Sequence, residues 1–226
     1  MNQQFAGALV TMLMSLIVVP HAHGQDERRG YAGGLVGIAT LSADATTSTS
    51  AGRADIALYK PENGPAVNLF GGLHVHPYVS IQANYVWNRN DVTLFSSVVS
   101  AGASGFFEER RDSDQHAVIA DALLYFRRRG DAIRPYLSTG VGMVRFQSDP
   151  GRTTNGGLSG PEGELSSTRV ALRVAVGIDL AIGNAWTFRY SFSETINGNP
   201  ISTRLTPPGE RNLANFQNLF GIVRRF

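Results

Sequence analysis

Apolar and polar residues alternate along the segment Asn212–Phe226, and this period of two constrains the fold more than any other feature of the sequence. Phe216, Phe220, Ile222 and Phe226 alternate there with polar residues and glycine. Alternation over about ten residues is typical of a strand that has lipid on one face and a packed or wet lumen on the other. The segment therefore predicts a membrane-spanning strand, and closure of a barrel would hold its last residue in place.

Seven further segments have the alternation or the composition of a strand. They are Tyr31–Ser42, Ala66–His76, Tyr78–Asn88, Gln115–Phe126, Pro135–Gln147, Thr168–Ile182 and 186–192. The connections between the eight segments are alternately long and short, and an up-and-down membrane barrel has this asymmetry together with an even number of strands. We therefore expect an all-β fold, namely an eight-stranded antiparallel up-and-down transmembrane β-barrel.

Four long connections are predicted to be extracellular loops that could bind a surface ligand: 43–65, 91–114, 148–167 and 195–211. Residues 93–107 (TLFSSVVSAGASGFF) are apolar for such a loop. Either the two flanking strands continue beyond the membrane and pair with each other, or the loop exposes an apolar patch for a partner or a hydrophobic solute.

The N-terminal end of the sequence indicates export. Ala6–Val19 is apolar but too short for a membrane-spanning helix, which needs about 20 residues. Small residues at Ala22 and Gly24 suit cleavage before Gln25. We expect residues 1–24 to be a signal peptide and residues 25–226 to be the barrel domain. The sequence has no cysteine, so the compartment is inferred from the signal alone.

The closing segment resembles the last strand of bacterial outer-membrane β-barrel proteins at Phe220, Gly221, Ile222 and Phe226. The whole pattern of strands and ends is similar to that of the small OmpA-like and OmpW-like barrels. This resemblance implies a location in the bacterial outer membrane, surrounded by its lipid, with both termini in the periplasm. It also implies that the four residues form the signal that the barrel-assembly machinery reads.

Charged residues in the strands are expected to face the lumen. An arginine near the middle of the lipid face would cost about 2–4 kcal/mol, and an eight-stranded lumen is just wide enough for side chains. We therefore place Arg173, Asp179, Arg189 and Asp121 inside, as a luminal polar network. A three-residue loop at 183–185 would set Asp179 opposite Arg189, whereas a two-residue loop would put Phe188 there. We choose the former and predict an Asp179–Arg189 contact.

Three aromatic residues, Trp87, Trp186 and Tyr190, suit the girdles that membrane barrels place at the two lipid–water interfaces.

Two groups of residues have a spacing that a chemical site could use. His74 and His76 lie two residues apart on a strand, which is possible metal-ligand spacing, but no third ligand is near in the sequence. Asp112, Asp114 and His116 put two carboxylates and an imidazole on one side of an extended segment, where a solvated polar collar is favoured over a catalytic group. We expect no catalytic, cofactor or metal site, and the net charge of +2 does not favour nucleic acid.

The fold alone does not give the function. The favoured hypothesis is a non-enzymatic outer-membrane protein with a structural or surface-interaction role through its four loops. The alternative is a narrow channel for small hydrophobic or small polar solutes. A water-soluble secreted β-barrel is the structural rival.

Overall fold

The computed structural model describes residues 29–161, 163–205, 207–209 and 211–226. The predicted signal peptide, residues 1–24, lies outside the described residues. Within these ranges no helix has the length and hydropathy that a membrane-crossing helix requires.

The described residues form ten strands and one short 3-10 turn, Ser202–Arg204. The strands are β1 (Gly30–Leu41), β2 (Asp44–Ser50), β3 (Arg53–Pro61), β4 (Gly64–His76), β5 (Val79–Ser100), β6 (Ala103–Tyr125), β7 (Ile133–Gly156), β8 (Leu165–Ala181), β9 (Trp186–Gly198) and β10 (Asn212–Arg225).

Eight of these strands form a closed antiparallel ring in the order β1, β4, β5, β6, β7, β8, β9, β10. Two pairings complete the ring. The first and last strands pair along their whole length, from Tyr31 opposite Arg225 to Leu41 opposite Asn215. β5 pairs with β6 without interruption from Val79 opposite Leu124. The prediction of an all-β, eight-stranded up-and-down barrel is confirmed.

The first long connection, 43–65, was predicted to be a loop, and this prediction is wrong. It folds as the hairpin β2–β3, which turns at Gly52 with a positive φ of 75°. β3 then pairs with the far half of β5, from Arg53 opposite Ser100 to Pro61 opposite Val92. The threonines of β2 favour extended backbone, but their polarity hides the alternation by which a strand is recognised.

Strands also replace much of two other predicted loops. In 91–114, β5 and β6 stay paired up to a turn at residues 101–102, so the interpretation of extended, mutually paired strands is correct. In 148–167, β7 continues to Gly156, and β8 begins at Leu165. The fourth connection keeps irregular backbone around its 3-10 turn. We call β2, β3 and residues 88–100, 103–114 and 148–156 the outer sheet.

The outer face of the ring carries a belt of exposed apolar side chains on the half nearer the short turns. Its members include Val36, Ile38, Leu69, Leu73, Ile81, Val118, Leu124, Leu137, Val141, Met143, Val170, Leu172, Val174, Val176, Phe192, Phe220 and Ile222. On β5 the belt runs from Val79 to Trp87. This length matches that of a tilted strand that crosses a bilayer, which needs about 9–11 residues. Polar outward residues such as Arg89 and Arg145 follow beyond it.

Candidate functional site

The β8–β9 hairpin brings an aspartate and an arginine together inside the ring. The Ile182 amide donates to the Trp186 carbonyl at 3.0 Å and closes the loop 183–185. Asp179 therefore lies opposite Arg189, in the register that the three-residue loop predicts. Arg189 Nε and Nη2 donate to the two carboxylate oxygens of Asp179 at 2.6 and 2.8 Å, and both side chains are buried. We call this bidentate contact the lower pair.

Residues from other strands fix the Arg189 guanidinium. Its Nη1 donates to Gln82 Oε1 at 2.8 Å, and its Nη2 also donates to Tyr125 Oη at 2.9 Å. Tyr125 Oη in turn donates to Asp179 at 3.1 Å. The rings of Phe70 and Tyr136 lie 5.0 and 5.1 Å from the guanidinium carbon, which is cation–π range. The cation is thus held from β4, β5, β6 and β7 as well as from its own hairpin.

A second pair lies one layer further from the short turns. Arg173 Nη1 donates to Asp121 Oδ2 at 3.1 Å, and Asn84 Nδ2 donates to the same oxygen at 3.1 Å. Both members of this middle pair are buried. Asp121 belongs to β6 and Arg173 to β8, and the residue between them on β7 is Gly140. A β-carbon at Gly140 would overlap the Asp121 carboxylate, so the missing side chain is what lets Asp121 reach across β7.

Amides fill the next layer of the lumen. Asn215 Nδ2 donates to Asn88 Oδ1 at 2.9 Å and to Gln115 Oε1 at 3.0 Å, and Asn88 donates to Asn90 at 2.7 Å. The outer sheet then closes over an apolar cluster. It contains Leu41, Tyr59, Val92, Leu94, Phe107, Phe146, Leu165, Ile201, Leu205 and Leu213. The lumen is therefore occupied at four heights.

The outer sheet also buries an ion pair that the sequence analysis missed. Arg111 Nη1 donates to Glu109 Oε2 at 3.1 Å, and both side chains are almost fully buried. Arg111 Nη2 donates to the Ser148 carbonyl at 3.2 Å and to the Gly163 carbonyl. The sequence analysis placed residues 108–111 in the predicted loop 91–114. The sequence signal that could have predicted their burial is the alternation of β6, since Glu109 and Arg111 continue the series of its inward positions.

The polar collar predicted at Asp112, Asp114 and His116 lies on the outward face of β6, just beyond the belt. Asp112 accepts from Arg89 at 2.8 Å, and His116 Nδ1 lies 2.8 Å from Tyr85 Oη. Nearby, Arg110 donates to Asp91 at 2.6 Å, and this hydrogen bond lowers the pKa of the Asp91 carboxyl below its ordinary value.

The two strand histidines do not come together, contrary to the expectation of a shared face. His74 is buried in the lumen with its Nδ1 2.5 Å from Ser80 Oγ. The register shifts between His74 and His76, so His76 is exposed at the turn, where it accepts from the Tyr78 amide at 3.4 Å. Across the described ranges no three His, Cys, Asp or Glu side chains are grouped as a metal site would need.

The predicted interface aromatics lie on the outer face of the barrel. Trp186 is exposed at the short-turn end, and the Arg224 guanidinium carbon lies 5.6 Å from its ring centroid. Trp87 lies at the opposite edge of the belt, across from His116. Tyr190 is exposed between the two levels and donates to Asn218 at 2.9 Å. Their role as lipid–water anchors stays a prediction.

The residues proposed as the assembly signal lie on β10 and directly after it. Phe220, Ile222 and Phe226 are exposed on the outer face. Gly221 packs against the β1 backbone, where a β-carbon would overlap the Gly34 carbonyl. Recognition of these residues by the assembly machinery stays a prediction.

A groove of about 280 Å³ opens on the outer sheet. Val98, Phe107, Leu158 and Leu205 supply its apolar walls, and Arg53 and Arg204 are the charged lining residues within the described part of the chain.

Two solved structures are similar to this chain. The crystal structure of Neisserial surface protein A (NspA) is 14% identical, covers 87% of this chain and 97% of that chain, and gives a TM-score of 0.49. A second structure is that of Ail, the attachment invasion locus protein of Yersinia pestis, in complex with the heparin analogue sucrose octasulfate. It is 11% identical, covers 88% of this chain and 99% of that chain, and gives a TM-score of 0.44. No curated protein sequence matches significantly. The family model of the outer membrane protein beta-barrel domain matches residues 7–226. Since this match spans nearly the whole chain, the protein belongs to the outer membrane protein β-barrel domain family.

Proposed function

We propose that this outer-membrane barrel is a non-enzymatic surface-interaction protein, with the outer sheet exposed outside the cell and the short turns in the periplasm. The observation that carries the proposal is the size and closure of the outer sheet. From Asn88 to Ser100, β5 runs roughly 40 Å past the belt at about 3.3 Å per residue. β2 and β3 widen the sheet, and the apolar cluster and Arg111 hold it together. A sheet built in this way presents a rigid surface, which suits binding better than a mobile loop does.

The groove is the part of this surface that best fits a partner. Apolar walls with a few polar groups at the edge are the usual composition of a binding site. Arg204 is exposed at the groove, whereas Arg53 already contacts Asp55 at 2.7 Å. We infer that the groove takes an apolar group of a partner that carries negative charge beside it.

The alternative, a narrow solute channel, is opposed by the contents of the lumen. A solute would have to displace the lower pair, the middle pair, the amide layer and the apolar cluster in turn. Breaking a buried ion pair costs about 3–5 kcal/mol when one charge is left unpaired.

Adhesion and conductance measured on matched variants test this function. Val98→Asp places a charge in the groove, and Val99→Asp places the same charge on the next residue, which the groove does not include. Bacteria expressing each form are assayed for adhesion to immobilised extracellular-matrix proteins and heparin, and the purified forms for conductance in planar bilayers. The proposal is supported if the wild type adheres, Val98→Asp abolishes this adhesion and Val99→Asp retains it. Stepwise conductance of the wild type without adhesion favours the channel.

A further inference from the structure

A buried arginine at the short-turn end of the lumen has no carboxylate of its own. Arg134 begins the inward face of β7, and its side chain is buried with the guanidinium carbon 3.7 Å from the Tyr125 ring centroid. Its cross-strand neighbour on β8 is Asp179. In that register an ion pair between Arg134 and Asp179 would be expected.

Asp179 is already engaged on its other side. Both of its carboxylate oxygens accept from Arg189, and Oδ2 also accepts from Tyr125. One carboxylate thus stands between two arginines and bonds to one of them. Among the described residues, Arg134 Nε and Nη2 are buried and have no hydrogen-bond partner. An uncompensated buried charge is strongly unfavourable, and no described carboxylate is bonded to the Arg134 guanidinium.

A small cavity lies beside Arg134. The residues that line it include Arg134, Arg189, Arg225, Asp179, His74 and Thr187. Its volume is about 10 Å³, near the roughly 10–15 Å³ that one water-sized particle requires. Arg225 contributes a further cation, and the one hydrogen bond of its side chain to a described residue is to a neutral carbonyl, that of Gly183, at 3.2 Å. Among the residues that the structure describes, the acidic side chains that line the cavity are Asp179, which is already paired, and Asp131, which is exposed.

We propose that this cavity is a binding site for one small monatomic anion of the chloride class, held by the free guanidinium edge of Arg134 and by Arg225. Size selects the class, because oxyanions and organic acids exceed the space for one water-sized particle. The positive charges of Arg134 and Arg225 favour an anion over a water molecule in this space. The anion would link β7 to β10 across the mouth of the lumen and add to the stability of the barrel at its periplasmic end.

Stability in matched salts tests the site. The refolded protein in detergent is heated in sodium chloride, sodium bromide or sodium gluconate at equal ionic strength, and the loss of the compact gel form is followed. A ligand that binds the folded state raises the midpoint temperature with its concentration. We expect a saturable rise with chloride and bromide but not with gluconate. Arg134→Met should remove this rise, whereas Arg145→Met, on the outward face of the same strand, should keep it.

Bromide in crystals locates the anion directly and does not depend on the folding of a variant. An anomalous peak beside the Arg134 guanidinium supports the site. Equal midpoints in all three salts, with no bromide peak in the cavity, would mean that water alone hydrates Arg134 and would overturn the proposal. A chloride response that persists in Arg134→Met, with bromide located elsewhere, would overturn it as well.

Discussion

Asp121 of β6 and Arg173 of β8 are in contact at 3.1 Å although strand β7 lies between them. The contact is possible because the intervening residue is Gly140, where a β-carbon would overlap both the Asp121 carboxylate and the Ala120 carbonyl. The middle pair therefore depends on a residue that has no side chain.

The substitution Gly140→Ala should weaken the barrel through this pair. Overpacking of a filled interior costs about 1–3 kcal/mol, and we expect a loss in that range in the free energy of unfolding, measured with denaturant in lipid vesicles. Gly71→Ala is the matched control, because the nearest atom to its β-carbon would be 3.9 Å away. Equal effects of the two substitutions would show that strand glycines matter only through backbone entropy.

Removing the two members of the lower pair should have unequal effects. Asp179→Leu leaves Arg189 buried without its carboxylate and removes the nearest negative charge from Arg134, so we expect a loss of about 3–5 kcal/mol in the free energy of unfolding. Arg189→Met should cost less, since Arg134 lies across from Asp179 and can take the vacated carboxylate.

The same unfolding measurement on the double variant Asp179→Leu/Arg189→Met completes a mutant cycle. Removing Arg189 in addition to Asp179 should recover part of the stability lost in Asp179→Leu. If Arg189→Met were the more damaging single change, Arg134 would not share the carboxylate.

The ring and the lower pair could be predicted from the sequence because each follows from a period of two. Alternation gives the faces of the residues in β8 and β9, and parity around the loop 183–185 gives the register between Asp179 and Arg189. The middle pair was predicted only as inward residues. Which aspartate meets which arginine depends on Gly140, whose role becomes visible only when β6, β7 and β8 are aligned.

The outer sheet could not be predicted in full, since its strands do not separate lipid from lumen. β2 is polar on both faces, so it lacks the contrast from which a strand is recognised. Burial of Arg111 depends on carbonyl groups of residues 148 and 163, which are far away in the sequence. Non-local backbone contacts of this kind leave no pattern in a single sequence.

An arginine scan along the outer face of β8 should show the depth of the belt. Val176 is exposed midway along the belt, and Ile182 is exposed beside the short turn. Arginine on the lipid face costs about 2–4 kcal/mol at the bilayer midplane and about 0–1 near the interfaces. We therefore expect Val176→Arg to be strongly destabilising in vesicles and Ile182→Arg nearly neutral. A water-soluble barrel would tolerate both substitutions equally.

Arg111 should hold the connection between β7 and β8 against the outer sheet. It is the buried cation that donates to the carbonyls of Pro161 and Gly163, so Arg111→Met removes both anchors and leaves Glu109 without its cation. We expect faster protease cleavage and faster amide exchange within residues 157–163, with the membrane-spanning part of the barrel still folded, as judged by its heat-modifiable gel mobility.

The neighbouring residue provides the control for Arg111. Arg110 is exposed and contacts Asp91 at the surface, where an ion pair is worth about 0–1 kcal/mol. Arg110→Met removes the same charge from the same strand but touches neither carbonyl, so cleavage in 157–163 should stay at the wild-type rate. If both variants were cleaved equally fast, net charge rather than the buried contacts would explain the effect. If neither were cleaved faster, the apolar cluster alone would hold the connection in place, because Phe107 and Leu165 pack there independently of Arg111.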